Sequence, residues 1–329
     1  MCTALTLTSK DGFHFFGRNM DLDYNFNQSL LFVPRNLEWK NAVSGESTKT
    51  KYGFLGMGSL VDNHPLMADG MNEKGLACAG LNFLGFAHFE EEQTAGKVNL
   101  GPYDLMLWIL SNFESVSEVK SALDSVNLVD KPFAPRLPVP TLHWMVYDTN
   151  DESIVIEATA ERISVLDNKI GVLTNQPTFD WHLTNLNQYI ALSPTQPEQV
   201  TWHKQPLEPI GNGLGLRGLP GDFYPSSRFV KTALLKSYAA LLETKESTMA
   251  EFFHILGNVA PVGGSVITQE GKMFKTLYTS CMCLESGEYS YTTYNNNQIN
   301  AVNMFKEDMD GQEIKVFPYM DKQSIHFQN

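Results

Sequence analysis

The sequence predicts an α+β sandwich with mainly antiparallel sheets, carried by a single domain over residues 1–329. Three observations predict it. Helical patterns fall in two blocks between groups of strand patterns, rather than alternating one for one as in a doubly wound fold. The chain opens on an alternating, β-rich hairpin. Of its 329 residues 43% are hydrophobic, enough for a substantial core, and its 16 Pro and 24 Gly are spread without a linker-like run.

Thr3 to Thr8 alternates, Asp11-Gly12 is a strong turn signal, and His14 to Asn19 resumes the extended pattern, so Cys2 stands at the tip of the first strand. Strands are expected at Leu30 to Pro34, Tyr52 to Leu60, Gly75 to Phe83, Thr141 to Asp148, Ser153 to Ala158 and Ile170 to Thr174. A late group covers Phe274 to Leu284, Glu288 to Tyr294, Ile299 to Phe305 and Ile314 to Pro318. Helices are expected at Tyr103 to Phe113, at Val116 to Val126 behind a capping box Ser115 to Glu118, and at Met249 to Val259 behind a box Thr248 to Glu251. Trp181 to Leu192 and Arg228 to Leu242 complete the set. The Pro- and Gly-rich stretch 193–222 is a long excursion that periodicity leaves unexplained.

A formal net charge of -13 argues against nucleic-acid and anionic-membrane partners. The start MCTALTLTSKDG has no basic segment followed by a long apolar run, and a cytoplasmic protein is expected. Four cysteines, Cys2, Cys78, Cys281 and Cys283, are too few for a disulfide framework; the last three read as buried small hydrophobes, and the Cys281/Cys283 pair is a weak zinc signal. Eight His lack a HExxH spacing, and His143 reads as a satisfied core residue, so no metal or other cofactor is expected. No local signature around Cys78, Cys281 or Cys283 supports a papain-like Cys/His pair.

Cys2 carries the chemistry. Removal of Met1 would place a thiol and a free α-amine on one residue, a nucleophile with its own base, with pKa values of about 8.5 and about 8 before any environmental shift. On the second strand Arg18 and Asp21 would lie near that tip, one able to stabilise a thiolate and the other to hold the amine; a surface ion pair is the alternative. Asn82 and Asn175 follow apolar strands and are either turn residues or amides facing an oxyanion.

These residues sit in five ordered motifs. Met-Cys-Thr at the start, Phe16-Gly17-Arg18-Asn19-Met20-Asp21, Asn72-Glu73-Lys74-Gly75-Leu76 leading to Ala79-Gly80-Leu81-Asn82-Phe83, Gly171-Val172-Leu173-Thr174-Asn175, and Gly218-Leu219-Pro220-Gly221-Asp222-Phe223 with Ser227-Arg228-Phe229 together resemble the choloylglycine hydrolase family. That family holds bile salt hydrolases and penicillin V acylases; the likeness runs over essentially the whole chain, including Tyr278-Thr279-Ser280-Cys281, and is closest to clostridial-type bile salt hydrolases. The resemblance implies the N-terminal nucleophile (Ntn) hydrolase fold, a four-layer αββα sandwich. It also implies Cys2 as nucleophile with its amine as base, Arg18 and Asp21 activating and orienting it, Asn82 and Asn175 lining an oxyanion hole, and Arg228 adding charge beside the thiol. By the same resemblance 193–222 is an assembly loop and the protein a homotetramer.

The implied reaction is attack of the Cys2 thiolate on the amide carbon of a glycine- or taurine-conjugated bile acid, giving a thioester that water hydrolyses. Asn82 sides with bile salt hydrolases, since related penicillin V acylases typically carry Tyr there. Met20, Val61, Ala68, Phe133 and Leu137 would form the apolar wall a steroid needs, although each is equally open to ordinary packing. The apolar loop Pro132 to Pro140 would be poorly placed unless it covered a pocket or a partner. The alternatives are an acylase for penicillin V or other N-acyl amides, and a non-catalytic binding protein that keeps Met1.

Overall fold

The computed structural model describes residues 1–240 and 242–329. Strands β1 (Cys2–Thr8) and β2 (His14–Leu22) form the opening hairpin, followed by β3 (Ser29–Val33), β4 (Phe54–Val61), β5 (His64–Asn72) and β6 (Ala77–Asn82). Helices α1 (Leu105–Asn112) and α2 (Val116–Leu123) precede β7 (Leu142–Tyr147), β8 (Ser153–Ala158), β9 (Ile163–Asp167) and β10 (Val172–Leu173). The second helical block is α3 (Phe179–Leu186), α4 (Pro225–Tyr238) and α5 (Lys245–Gly257). The chain closes with β11 (Val266–Ile267), β12 (Met273–Cys283), β13 (Glu288–Thr293), β14 (Asn296–Asn303) and β15 (Lys315–Phe317).

The strands make a seven-stranded sheet in the order β10-β1-β2-β12-β13-β14, with β11 on β12, and an eight-stranded sheet in the order β9-β8-β7-β6-β5-β4-β3-β15. Pairing within both is antiparallel. The period of two sorts each strand between layers. Ala77, Ala79, Leu81, Met145 and Tyr147 face a core shared with β1, β2 and β12, whereas Cys78, Trp144 and Val146 face one shared with Leu105, Leu107, Ile109 and Val119 of α1 and α2. Helices α4 and α5 cover the far side of the first sheet through Phe229, Ala233, Phe252 and Leu256. The result is the four-layer αββα sandwich of the Ntn hydrolases. Strands sandwiched this way are buried on both faces, so β1 reads as six consecutive buried residues.

Several expected boundaries move for physical reasons. Helix α5 starts at Lys245 rather than Met249, because Thr244 and Ser247 form the reciprocal capping box and Thr248 is buried inside the helix. In α2 the Ser115 hydroxyl does cap the Glu118 N–H, but the Glu118 carboxylate takes the N–H of Glu114, and the helix ends at Leu123. Helix α4 begins at Pro225, whose missing N–H suits the first turn, and ends at Tyr238 instead of Leu242; Leu241 lies outside the described residues. Helix α3 runs from Phe179 to Leu186, continuing as a 3-10 turn to Tyr189. Strand β5, central to the larger sheet, was not expected. Within 193–222 a small exposed hairpin pairs Val200–Trp202 with Gln205–Leu207. No helix among the described residues is long and apolar enough to cross a membrane.

Candidate active site

Register brings the hairpin residues together. Cys2 pairs with Met20 and Ala4 with Arg18, so these four side chains share one face of the sheet. Arg18 shows which face it is, because its Nη1 donates to Gly80 O at 2.7 Å and Ala68 O at 3.2 Å on the opposite sheet. Cys2 and Arg18 therefore lie between the sheets, fully buried or nearly so. Gly17 permits the close approach of β12 on this stretch: a Cβ there would meet Ser280 O at 2.1 Å. Arg18 Nη2 is buried without a hydrogen-bond partner. Burial opposes the charge of Arg18, but Cys2, Tyr278, Asp69 and Asp21 together raise its pKa.

Asp21 lies on the other face, toward the helices. With Met1 attached, the chain ends in two strand bonds, from the Met1 amine to Asp21 O at 2.8 Å and from Asp21 N–H to Met1 O at 3.0 Å. Asp21 Oδ1 accepts from the Thr276 hydroxyl at 2.7 Å, and its Oδ2 is buried without a partner. Burial pushes the Asp21 carboxyl up from its ordinary value, against the pull of Arg228 and the terminal amine; the same burial lowers the pKa of that amine.

Arg228 reaches in from α4 and is wholly buried. Its Nε donates to Phe223 O at 2.9 Å, Nη1 to Cys2 O and to Thr3 Oγ1 at 2.6 Å, and Nη2 to Asn175 Oδ1 at 2.6 Å. Asn175, just beyond β10, also accepts the Cys2 N–H on Oδ1 at 2.9 Å and donates its Nδ2 to Asn82 O at 2.7 Å. Asn82 Oδ1 takes the Thr141 hydroxyl at 2.9 Å. Arg18, Asp21, Asn175 and Arg228 thus gather at the Met1–Cys2 end of the chain, with Asn82 attached through Asn175.

The wall residues divide. Met20 pairs with Cys2, and Ala68 lends its carbonyl to Arg18. Val61 is at the tip of the β4–β5 hairpin, Phe133 packs on His64 and Tyr103 with ring centroids 4.8 and 5.5 Å apart, and Leu137 is exposed. Phe133 lines a cavity of about 780 Å³ with Trp39, Lys40, His64 and Lys131, apart from the thiol. Sequence reasoning passed over Thr276, Asp69, which accepts from Tyr278 at 2.6 Å and from Tyr289, and His182, which donates to Asn175 O at 2.9 Å. Thr276 and Asp69 have no sequence signal, since their partners lie more than 200 residues away, and His182, only seven residues from Asn175, carries no motif that singles it out. Among the described residues no His, Cys, Asp and Glu group is arranged to hold a metal ion.

The family model described as linear amide C–N hydrolases, choloylglycine hydrolase family, matches residues 2–317. The chain belongs to this family. It is 52% identical over 330 residues, all of both chains, to a protein of Clostridium perfringens named bile salt hydrolase/transferase. The C2A mutant of conjugated bile acid hydrolase from Clostridium perfringens superposes with a TM-score of 0.96 at 51% identity, covering all of both chains. Penicillin V acylase from Agrobacterium tumefaciens shares the fold, with a TM-score of 0.77 at 21% identity over 96% of this chain and 90% of its own. The protein is therefore an amide hydrolase of the choloylglycine hydrolase family with an Ntn fold.

Proposed function

We propose that the protein hydrolyses the amide bond of glycine- or taurine-conjugated bile acids through a thioester on Cys2, after Met1 has left. The observation that carries this is the full-length identity of 52% to a bile salt hydrolase/transferase, joined to a buried Cys2 ringed by Arg18, Asp21, Asn175 and Arg228. When Met1 departs, the nitrogen now held at 2.9 Å by Asn175 Oδ1 becomes the α-amine. Asp21, its Oδ2 unpartnered, supplies the negative charge that orients it. Arg18, with Nη2 unpartnered, supplies the cation that favours the thiolate.

The thiolate attacks the amide carbon, the carbonyl π electrons move to oxygen, and Asn82 and Asn175 face the resulting oxyanion. The C–N bond breaks as the α-ammonium gives its proton to the leaving glycine or taurine. Water, deprotonated by the α-amine, then attacks the thioester, releasing the bile acid and restoring Cys2. Arg228 holds the Cys2 carbonyl and Asn175 in fixed relation through both steps. Met20, Val61, Ala68, Phe133 and Leu137 form the steroid wall. The domain is continuous over 1–329, cytoplasmic, and assembled as a homotetramer through 193–222; free Cys2, Cys78, Cys281 and Cys283 suit a reducing compartment, and exposed Val200, Trp202 and Ile210 suit a subunit contact.

The test is release of glycine and taurine from conjugated bile salts beside hydrolysis of penicillin V. Bile-salt turnover that exceeds penicillin turnover and vanishes in Cys2→Ala is the expected result. A preference for penicillin V would move the function to the acylase reading, and no turnover of either by protein lacking Met1 would move it to a binding protein.

A further inference from the structure

Beneath the two asparagines lies a buried pair of ionisable side chains that the reaction above does not use. His143 on β7 and Glu157 on β8 are 0% and 2% exposed. His143 Nδ1 is 3.1 Å from Glu157 Oε1 and its Nε2 is 3.2 Å from Thr174 O, the carbonyl just before Asn175. Its ring stacks on Phe83, the residue after Asn82, at 4.3 Å and 8°. One imidazole therefore touches the neighbours of both asparagines, Asn82 from one sheet and Asn175 from the end of the other. Glu157 Oε1 also accepts the N–H of Phe179, the first residue of α3.

Both ring nitrogens of His143 face acceptors, so Nε2 must carry a proton to meet Thr174 O, and a second proton must lie between Nδ1 and Glu157. Only a carboxyl group meets this demand, because its single Oε1 serves Phe179 N–H and the ring together. An amide oxygen in its place would leave either a buried uncompensated imidazolium or a lone pair aimed at Thr174 O. We infer that His143, locked by Glu157, is a positioning residue that sets the spacing and aim of Asn82 and Asn175. His182, held neutral by burial with its pKa lowered to about 4, fixes the next carbonyl, Asn175 O, at 2.9 Å.

This inference rests on the oxyanion reading of Asn82 and Asn175, and the experiment separates the two. Steady-state bile-salt kinetics and the rate of Cys2 alkylation by iodoacetamide are measured for His143→Asn, His143→Gln, Glu157→Gln and Asn82→Ala. His143→Asn and the isosteric Glu157→Gln are expected to lower kcat by about tenfold or more, with KM changed by less than about threefold and alkylation unchanged. His143→Gln, whose amide can still reach Thr174 O, is expected to retain most of kcat. Folded Glu157→Gln with unchanged kcat overturns the inference, as does a parallel fall of kcat and alkylation. If His143→Asn does not fold, Glu157→Gln against His143→Gln decides. Asn82→Ala with full kcat overturns the oxyanion reading instead.

Discussion

Replacing Arg228 by lysine keeps a positive charge beside Cys2 and removes the fork. In the structure three different nitrogens of Arg228 serve Phe223 O, Cys2 O with Thr3 Oγ1, and Asn175 Oδ1. A single ammonium can serve the acceptors of one of these nitrogens, so at least two charge-assisted bonds are lost, each of about 1.5–3 kcal/mol. Much of that loss falls on Asn175, which then holds the Cys2 nitrogen without its second anchor. The expected cost in transition-state positioning is about 2 to 3 kcal/mol, roughly 30- to 150-fold in kcat. The assay is amino-acid release from a conjugated bile salt, with Cys2 alkylation followed in parallel. Alkylation is expected to stay close to wild type because the charge is retained. A lysine variant with wild-type kcat would refute the reasoning and reduce Arg228 to a point charge.

Three further outcomes follow from buried groups and caps. The folded protein keeps His182 neutral down to about pH 4 whereas the unfolded chain takes up its proton near 6.5, so the unfolded state binds more protons between these values and stability falls as pH falls. This amounts to about 3 kcal/mol across the window, and His182→Gln, which keeps a donor for Asn175 O, is expected to flatten that part of the urea-measured stability curve. Thr244→Ala is expected to cost about 1 kcal/mol by removing the α5 cap, while Thr248→Val, whose buried hydroxyl has no partner, is expected to be neutral or stabilising in the same assay.

The fold was legible where local chemistry dominates. The Asp11-Gly12 turn, with Gly12 at φ 91°, links β1 and β2 as the alternation implied. Strand β5 was illegible because Pro65, Asp69 and Gly70 all look like strand breakers. Tertiary contacts reverse each signal: Pro65 pairs with Leu60 near the hairpin tip, two tyrosines satisfy Asp69, and the Cα of Gly56 leaves only 3.2 Å for a Cβ at Gly70. In α5 the Thr248-to-Glu251 pattern misled because the reciprocal cap bonds form one turn earlier, between Thr244 and Ser247, and Thr248 is buried inside the helix.

The six catalytic candidates could be named because they sit in contiguous motifs, and Arg18, Asp21, Asn175 and Arg228 gather at the Cys2 end of the chain, with Asn82 tied in through Asn175 Nδ2. Their supporting groups could not be named. Thr276 reaches Asp21 across 255 residues and His143 reaches Thr174 across 31, distances along the chain that no local pattern bridges. Of the wall residues, Val61 ends β4 at a hairpin tip and Phe133 is placed by ring contacts with His64 and Tyr103, partners about 30 or more residues away that no local pattern announces.

The most direct test of the central claim is to acid-quench the enzyme during turnover of a conjugated bile salt and map the trapped acyl group by peptide mass spectrometry. The account expects a peptide that begins at Cys2 and carries the bile-acyl mass as a hydroxylamine-labile thioester. An acyl group on another residue, or active protein in which residue 2 is still preceded by Met1, would contradict it.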